Sequence, residues 1–267
     1  MAVVLLCGAP GSPGVTTTAL GLSLTWPRDV LLADCDRDPS HAVLAGYLRG
    51  VDHQGIGLGS LLQLHREGGD FATELLRHTL TLAEGDAPRR RFLPGFPHPG
   101  MPRLFDPVWA PLGEGFAALD AIGTDVLIDG GRVGPRGLPL GLMTNADAVL
   151  VVVRSSLRSL AATRIHLATL ADQLAGLPVA RPWGLVLVGP RRPYASGEIA
   201  RQFGAEVWAE LPWDPRRAEV LSDGAPDPRR FFEHDLMGRF RAEAKRFGER
   251  LGGERGRRLA TLRRTPA

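Results

Sequence analysis

Short, unbroken apolar runs alternate along this chain with segments of helical spacing. Residues 2–7, 30–33, 148–153 and 184–188 are continuous apolar runs, and Val126-Leu127-Ile128 forms another between Asp125 and Asp129. Runs of three to six apolar residues without polar alternation predict strands buried on both faces, as in a parallel sheet. Helices are predicted over residues 16–24, 39–49, 58–66, 70–82, 114–121, 156–175 and 198–203. The 156–175 segment repeats Leu157, Leu160, Ala161, Ile165, Leu167, Leu170 and Leu174 at helical intervals. A short strand is expected near Phe92-Leu93 and a terminal one over 205–211. A last helix, about 229–251, carries Leu236, Phe240, Ala244, Phe247 and Leu251 on one face. Residues 130–141 read as a Gly/Pro loop, and the Pro-, Gly- and Arg-rich stretch 85–115 reads as a lid or partner surface. Strands alternating with helices imply βα units with right-handed crossovers. The expected fold is a three-layer α/β domain whose mostly parallel central sheet is flanked by helices, spanning residues 1–251. A basic tail over 252–267 is expected to be disordered.

With 267 residues, 44% of them hydrophobic, the chain is long enough for one sizeable core. No apolar stretch reaches the length of a membrane span. Residues 1–8 have no basic segment before their apolar run and do not read as a signal peptide. Cys7 and Cys35 lie in or beside expected strands, with no histidine at metal-site spacing. They read as core residues in a reducing, cytoplasmic setting. The net charge of +3 is uneven. Residues 239–267 hold ten Arg/Lys against three Glu, so the body is net acidic and only the C-terminal region is basic. Lys245 is the sole lysine.

The glycine pattern Gly8-x-x-Gly11-x-x-Gly14-Val15-Thr16-Thr17 falls between the first strand and the first helix. A phosphate loop needs glycines so that the backbone can curl around the anion, and a helix N-terminus whose free N–H groups point at it. It also uses a lysine on the β/γ-phosphates and a Ser/Thr on Mg²⁺. Here the glycines and Thr16 are present, and Val15 stands at the lysine position. A tight βα turn would use the same glycines. Asp34 and Asp36 close the second strand, and Asp129 closes the apolar run Val126-Leu127-Ile128. Three carboxylates at one sheet edge suit Mg²⁺-nucleotide chemistry, and strand-end aspartates also serve as helix caps.

These residues together resemble the ParA/MinD-like deviant Walker A ATPases, over roughly residues 2–250. Pro10-Gly11-Ser12-Pro13-Gly14-Val15-Thr16-Thr17 lies where that family has KGGxGKTT, so the signature lysine falls on Pro10 and the P-loop lysine on Val15. Asp34-Cys35-Asp36 resembles the family's D-x-D, and Asp129-Gly130-Gly131-Arg132 its Walker B and switch II start. Leu211-Pro212-Trp213-Asp214-Pro215 resembles the late segment beside the base. Val188-Gly189-Pro190-Arg191 stands where many members carry an adenine-reading Asn. The resemblance implies a P-loop NTPase-like fold and ATP or ADP with Mg²⁺ as cofactor. It implies nucleotide contacts from Gly11, Ser12, Gly14, Val15, Thr16, Thr17, Pro212 and Asp214. Thr16, Asp36 and Asp129 would hold the metal, with Asp36 and Asp129 in the catalytic roles.

The loss of two lysines and the Asn implies an atypical, nucleotide-binding pseudo-ATPase acting in positioning or partner recruitment. The chain is weakly similar to the CpaE/TadZ group, which marks poles and secretion or pilus sites. Two alternatives stay open: an active Mg-ATPase that recruits an arginine, such as Arg37 or Arg154, and a scaffold that keeps only the fold. Homodimerisation is expected through the nucleotide face, with Phe92, Phe96, Phe105 and Trp109 as surplus apolar material. The basic C-terminal helix is expected either to dock on the sheet or to meet a membrane surface, DNA or an acidic protein. If it meets a membrane surface, the protein would be peripheral at the membrane.

Overall fold

The computed structural model describes residues 2–262 apart from 13, 54 and 86, with side chains as far as Gly253. An eight-stranded sheet forms the centre. Its strands are β1 (Val3–Gly8), β2 (Val30–Asp34), β3 (Leu80–Ala83), β4 (Arg90–Leu93), β5 (Asp125–Arg132), β6 (Ala148–Arg154), β7 (Trp183–Val188) and β8 (Val207–Leu211). They lie in the order β3-β4-β2-β5-β1-β6-β7-β8. Every pairing is parallel except β3 against β4. The helices are α1 (Val15–Thr25), α2 (Leu58–Arg66), α3 (Phe71–Glu74), α4 (Trp109–Ala118), α5 (Leu140–Asn145), α6 (Leu157–Ala175), α7 (Ser196–Phe203), α8 (Pro215–Ser222) and α9 (Asp235–Leu262).

The unbroken apolar runs are explained by two cores. Val3, Leu5 and Cys7 face one, beneath α2 to α7, while Val4 and Leu6 face the other, beneath α1, α8 and α9. With both faces covered, no position on β1 can be polar. At the amino edge, fully buried Asp125 braces three segments. Its carboxylate accepts from the Ala2 N–H at 2.6 Å and from Trp26 Nε1 at 2.7 Å, and it pairs with Arg28 at 2.8 Å.

Four sequence expectations are corrected. The single helix over 70–82 is instead α3, a 3₁₀ turn at Leu75–His78, and β3. Thr79-Leu80-Thr81-Leu82 alternates like a strand, and Leu80 and Thr81 register with Phe92 and Arg91 of β4. The 130–141 loop gives way to α5 at its end, and α8 is an additional helix with Pro215 at its first position. Residues 85–115 are not a surface lid. Phe96, Phe105 and Trp109 stack edge-to-face at 4.7–5.8 Å and are buried in this chain's own core, as is Phe92. They are therefore no surplus for a dimer interface. The last helix starts later, at Asp235, and continues to Leu262, past the expected boundary at 251. Positions 263–267 of the expected tail lie outside the described residues.

The apolar stripe of α9 is docked. Leu236, Phe240, Ala244, Phe247 and Leu251 are all buried, and the Phe240 ring sits so close to α1 that a Cβ on Gly21 would lie 2.4 Å from it. Its basic side chains are largely engaged. Arg239 and Arg246 flank buried Glu243, and Arg250 forks onto Glu206. No described helix is long and apolar enough to cross a membrane.

Candidate functional site

The candidate residues gather at the carboxyl edge of β2, β5 and β1. β1 ends at Gly8 and α1 starts at Val15. The loop between them needs glycine at two points: Gly11 has φ 78° and Gly14 φ 116°, both in the left-handed region. α1 then presents its first turn, whose N–H groups have no partners within the helix, and that turn carries no acidic residue to compete with an incoming anion. Thr17 lies in this turn.

Two positions in the loop do other work. Ser12 is 3% exposed. Its N–H donates to Ala9 O at 2.9 Å, and its hydroxyl lies between Val152 O and the Arg154 N–H at 3.4 and 3.3 Å. The Ser12 donors expected on phosphate are thus spent fastening the loop to β6. Val15 is buried, and its Cγ2 fills the space above Gly8, 2.7 Å from where a Cβ would stand. The side chain at the lysine position packs into the sheet edge and offers nothing to a phosphate.

The carboxylates form a layered cluster. Asp34 and Asp129 are register partners on β2 and β5, and the Cys35 N–H donates to Asp129 O at 2.8 Å. Asp129 Oδ1 accepts from the Gly131 N–H at 2.9 Å, while its buried Oδ2 accepts no hydrogen bond. Burial raises the Asp129 pKa to about 6, with the nearby Thr16 hydroxyl and the Gly131 N–H opposing the shift. Asp36 lies against Gly131, where a Cβ would fall 2.0 Å from its carboxyl carbon. Its pKa is also raised, chiefly by burial, with the Arg132 and Arg37 charges pulling the other way. Asp34 is pushed well above the carboxylate range by burial and then by Asp129, and its carboxyl lies 2.8 Å from a Cβ position on Gly95. Thr16, Asp129, Gly131 and Asp36 are thereby brought together.

An all-oxygen set of one hydroxyl and two carboxylates, one with an orphaned buried oxygen, fits a hard divalent cation such as Mg²⁺. Among the described residues no three His, Cys, Asp or Glu side chains form a metal cage. A cation here would therefore draw its remaining ligands from phosphate or water, as Mg²⁺ does in nucleotide sites.

Beside Gly14 and Thr17 opens a mostly apolar cleft of about 230 Å³, walled by Val188, Leu211, Pro212, Trp213 and Phe240. Pro212 is in the wall as expected. Asp214 also borders the cleft, but its carboxylate caps α8 through the Arg217 N–H at 3.2 Å and pairs with the Arg217 guanidinium. The two arginines expected as substitute cations are engaged too. Arg37 donates to Gly137 O, and Arg154 stacks 3.6 Å over the Trp213 ring. The sequence motif Asp129–Arg132 includes Arg132 but assigns it no role; it is exposed at the end of β5 directly across from Gly8. The available signal was its place as the first charge after the Asp129-Gly130-Gly131 turn.

No protein-family model and no curated protein matches this sequence. Solved structures do. The cell division ATPase MinD of Pyrococcus furiosus superposes with a TM-score of 0.67 at 20% identity, covering 93% of this chain and 99% of that one. A ParA family ATPase from Chlorobium tepidum gives 0.67 at 14% identity, over 91% and 98%. The septum site-determining protein MinD of Pyrococcus horikoshii, complexed with Mg-ADP, gives 0.66 at 21%, over 91% and 94%. The fold is that of the MinD and ParA ATPases. At these identities the likeness establishes architecture, and the chemistry rests on the residues themselves.

Proposed function

We propose that this chain is an atypical ParA/MinD-like protein that binds ATP or ADP with Mg²⁺, hydrolyses ATP weakly or not at all, and acts in positioning or partner recruitment. The observation that carries this reading is the split character of the site. Support for a metal half comes from Thr16, Asp36 and Asp129, which lie near one another, with one buried Asp129 oxygen left without a hydrogen bond. The lysine half is gone: Val15 is packed against Gly8, and Pro10 stands at the signature position. Bound Mg²⁺ would neutralise phosphate charge during transfer. The chain's own part is to seat the phosphates on the α1 amides, hold the cation at Thr16 and the two carboxylates, and accommodate the base in the apolar cleft. Losing a transition-state cation commonly costs 10²–10³-fold or more in rate, while amide contacts to phosphate survive because they depend little on side chains. The relatives of known structure, among them a MinC:MinD cell division complex from Aquifex aeolicus, support a partner-recruiting role of this kind. The partner is expected to be a second copy of this chain and a membrane, DNA, acidic-protein, polar or secretion-site component.

Calorimetric titration with ATP and ADP, with and without Mg²⁺, tests the reading. Saturable binding strengthened by Mg²⁺ is expected, with single-turnover hydrolysis below about one per minute, far under the roughly 1–100 s⁻¹ of kinases. Binding of neither nucleotide would leave the chain a scaffold. Faster turnover abolished by Asp36→Ala would make it an active ATPase.

A further inference from the structure

We propose that Arg132 is the cation of the phosphate site, reaching it from β5 in place of the lysine absent from α1. This rests on the nucleotide-binding reading above. The evidence begins in the sheet. β1 and β5 run in register through Leu6 and Asp129, then slip, so that Gly8 pairs not with Gly131 but with Arg132. Two steps along β1 are matched by three along β5, a bulge of one residue. Bulges beside active sites re-aim a side chain. Gly131 takes φ 61°, with Asp36 packed where its Cβ would be, so no other residue fits there. Beyond the bulge the backbone is pinned again by the Val133 N–H, which donates to Gly8 O at 2.8 Å. Val133 is buried in the core beneath α4 to α6, so Arg132, its strand neighbour, projects away from that core and is exposed. The bulge therefore stations an arginine beside the residue at which the phosphate loop begins, on a strand about 4.8 Å from it.

The neighbourhood is short of other cations. Arg37 is held by Gly137 O, Arg154 by the Trp213 ring, Arg217 by Asp214, and Arg136 faces Asp106 at 4.0 Å. Among the described residues no carboxylate lies within ion-pair distance of Arg132. Its charge acts on Asp36, offsetting part of the burial of that carboxyl. Arg132 thus stands near Asp36 of the acidic cluster and, across the β1–β5 pairing, beside Gly8, from which the Gly11–Gly14 loop departs. The ligand chemistry it fits is the polyphosphate of a nucleoside di- or triphosphate, which a planar guanidinium can grip with two parallel N–H donors.

The test is calorimetry on the full chain with ATP, ADP and adenosine in Mg²⁺, comparing wild type with Arg132→Ala, Arg132→Lys and the double variant Arg132→Ala/Val15→Lys. Loss of a charge-assisted contact should weaken ATP and ADP by about tenfold to a hundredfold. Adenosine should bind as before, Arg132→Lys should keep most of the affinity, and lysine at position 15 should restore it. A melting temperature equal to wild type checks that Arg132→Ala is folded. The proposal is overturned if Arg132→Ala binds ATP like wild type, or if adenosine affinity falls in parallel, which would mark a structural role. Wild-type protein that binds no nucleotide would instead remove the nucleotide reading, and this proposal with it.

Discussion

At the scale of single residues, Asp129 shows what the carboxylate cluster costs the fold. Its carboxylate is buried with one oxygen unsatisfied and with Asp34 as register partner. Burying an unpaired charge is costly, and such costs persist where function needs the charge. Asp129→Asn should therefore stabilise the ligand-free protein at neutral pH, raising Tm at roughly 2–4 °C per kcal/mol gained. The same variant should lose the Mg²⁺-dependent part of ATP affinity. Thermal melts with and without Mg-ATP read both effects, and a lower ligand-free Tm would show that the carboxylate is structural. That Gly11, Gly14, Thr16, Asp36 and Asp129 lie along one edge of the sheet was legible in the sequence, because they sit at strand ends, a helix start or the loops directly after strands. Ser12 and Asp214 were not legible in this way. Both look like phosphate-side or base-side polar residues, and only the fold reveals that Val152 and Arg154 claim the one and Arg217 the other. The placement of Arg132 opposite Gly8 was hidden for a different reason: a one-residue slip between β1 and β5 leaves no pattern in the sequence of either strand.

At the scale of elements, the contact between α1 and α9 links the basic C-terminal helix to the site. Phe240 packs on Gly21 and also walls the cleft beside Gly14. Phe240→Ala should destabilise the chain by about 3–5 kcal/mol and loosen the cleft, weakening nucleotide binding as well. Phe240→Leu should cost much less. Chemical denaturation resolves the two, and an alanine variant as stable as wild type would mean that α9 is only loosely docked. The same docking bears on membrane contact. The apolar stripe of α9 is already buried, so a membrane-facing state would have to strip it from α1 first. The helix itself was plain in the sequence from its periodic Leu, Phe and Ala residues. Its start was not, because Phe231 belongs to a separate 3₁₀ turn at Phe231–Glu233 and is buried in the same core. Likewise α3 and β3 share one apolar stretch, and only pairing with Arg91 and Phe92 decides where helix gives way to strand.

At the scale of the whole molecule, the remaining question is whether one copy meets another. The aromatic residues of 92–113 that first suggested an interface are buried in their own core, so the dimer argument has to start elsewhere. Large apolar side chains do stand in solvent on the face that carries the candidate site. Leu157, at the start of α6, is 64% exposed, and Leu140, at the start of α5, is 58% exposed. Leu157 lies two residues from Ser159, whose hydroxyl donates to Gly11 O at 3.4 Å, so α6 opens on the rim of the Gly11–Gly14 loop. An exposed leucine at that rim is poorly placed in a monomer and well placed if a second copy closes over bound nucleotide. Light scattering should accordingly give a monomer without ligand and a dimer with a non-hydrolysable ATP analogue and Mg²⁺. Leu157→Glu should prevent dimerisation, since the carboxylate would be desolvated in the interface, while nucleotide affinity measured on dilute protein stays close to wild type. A dimer that forms equally without nucleotide would locate the interface away from this rim. A monomer at high concentration under all conditions would leave Leu157 an ordinary exposed leucine.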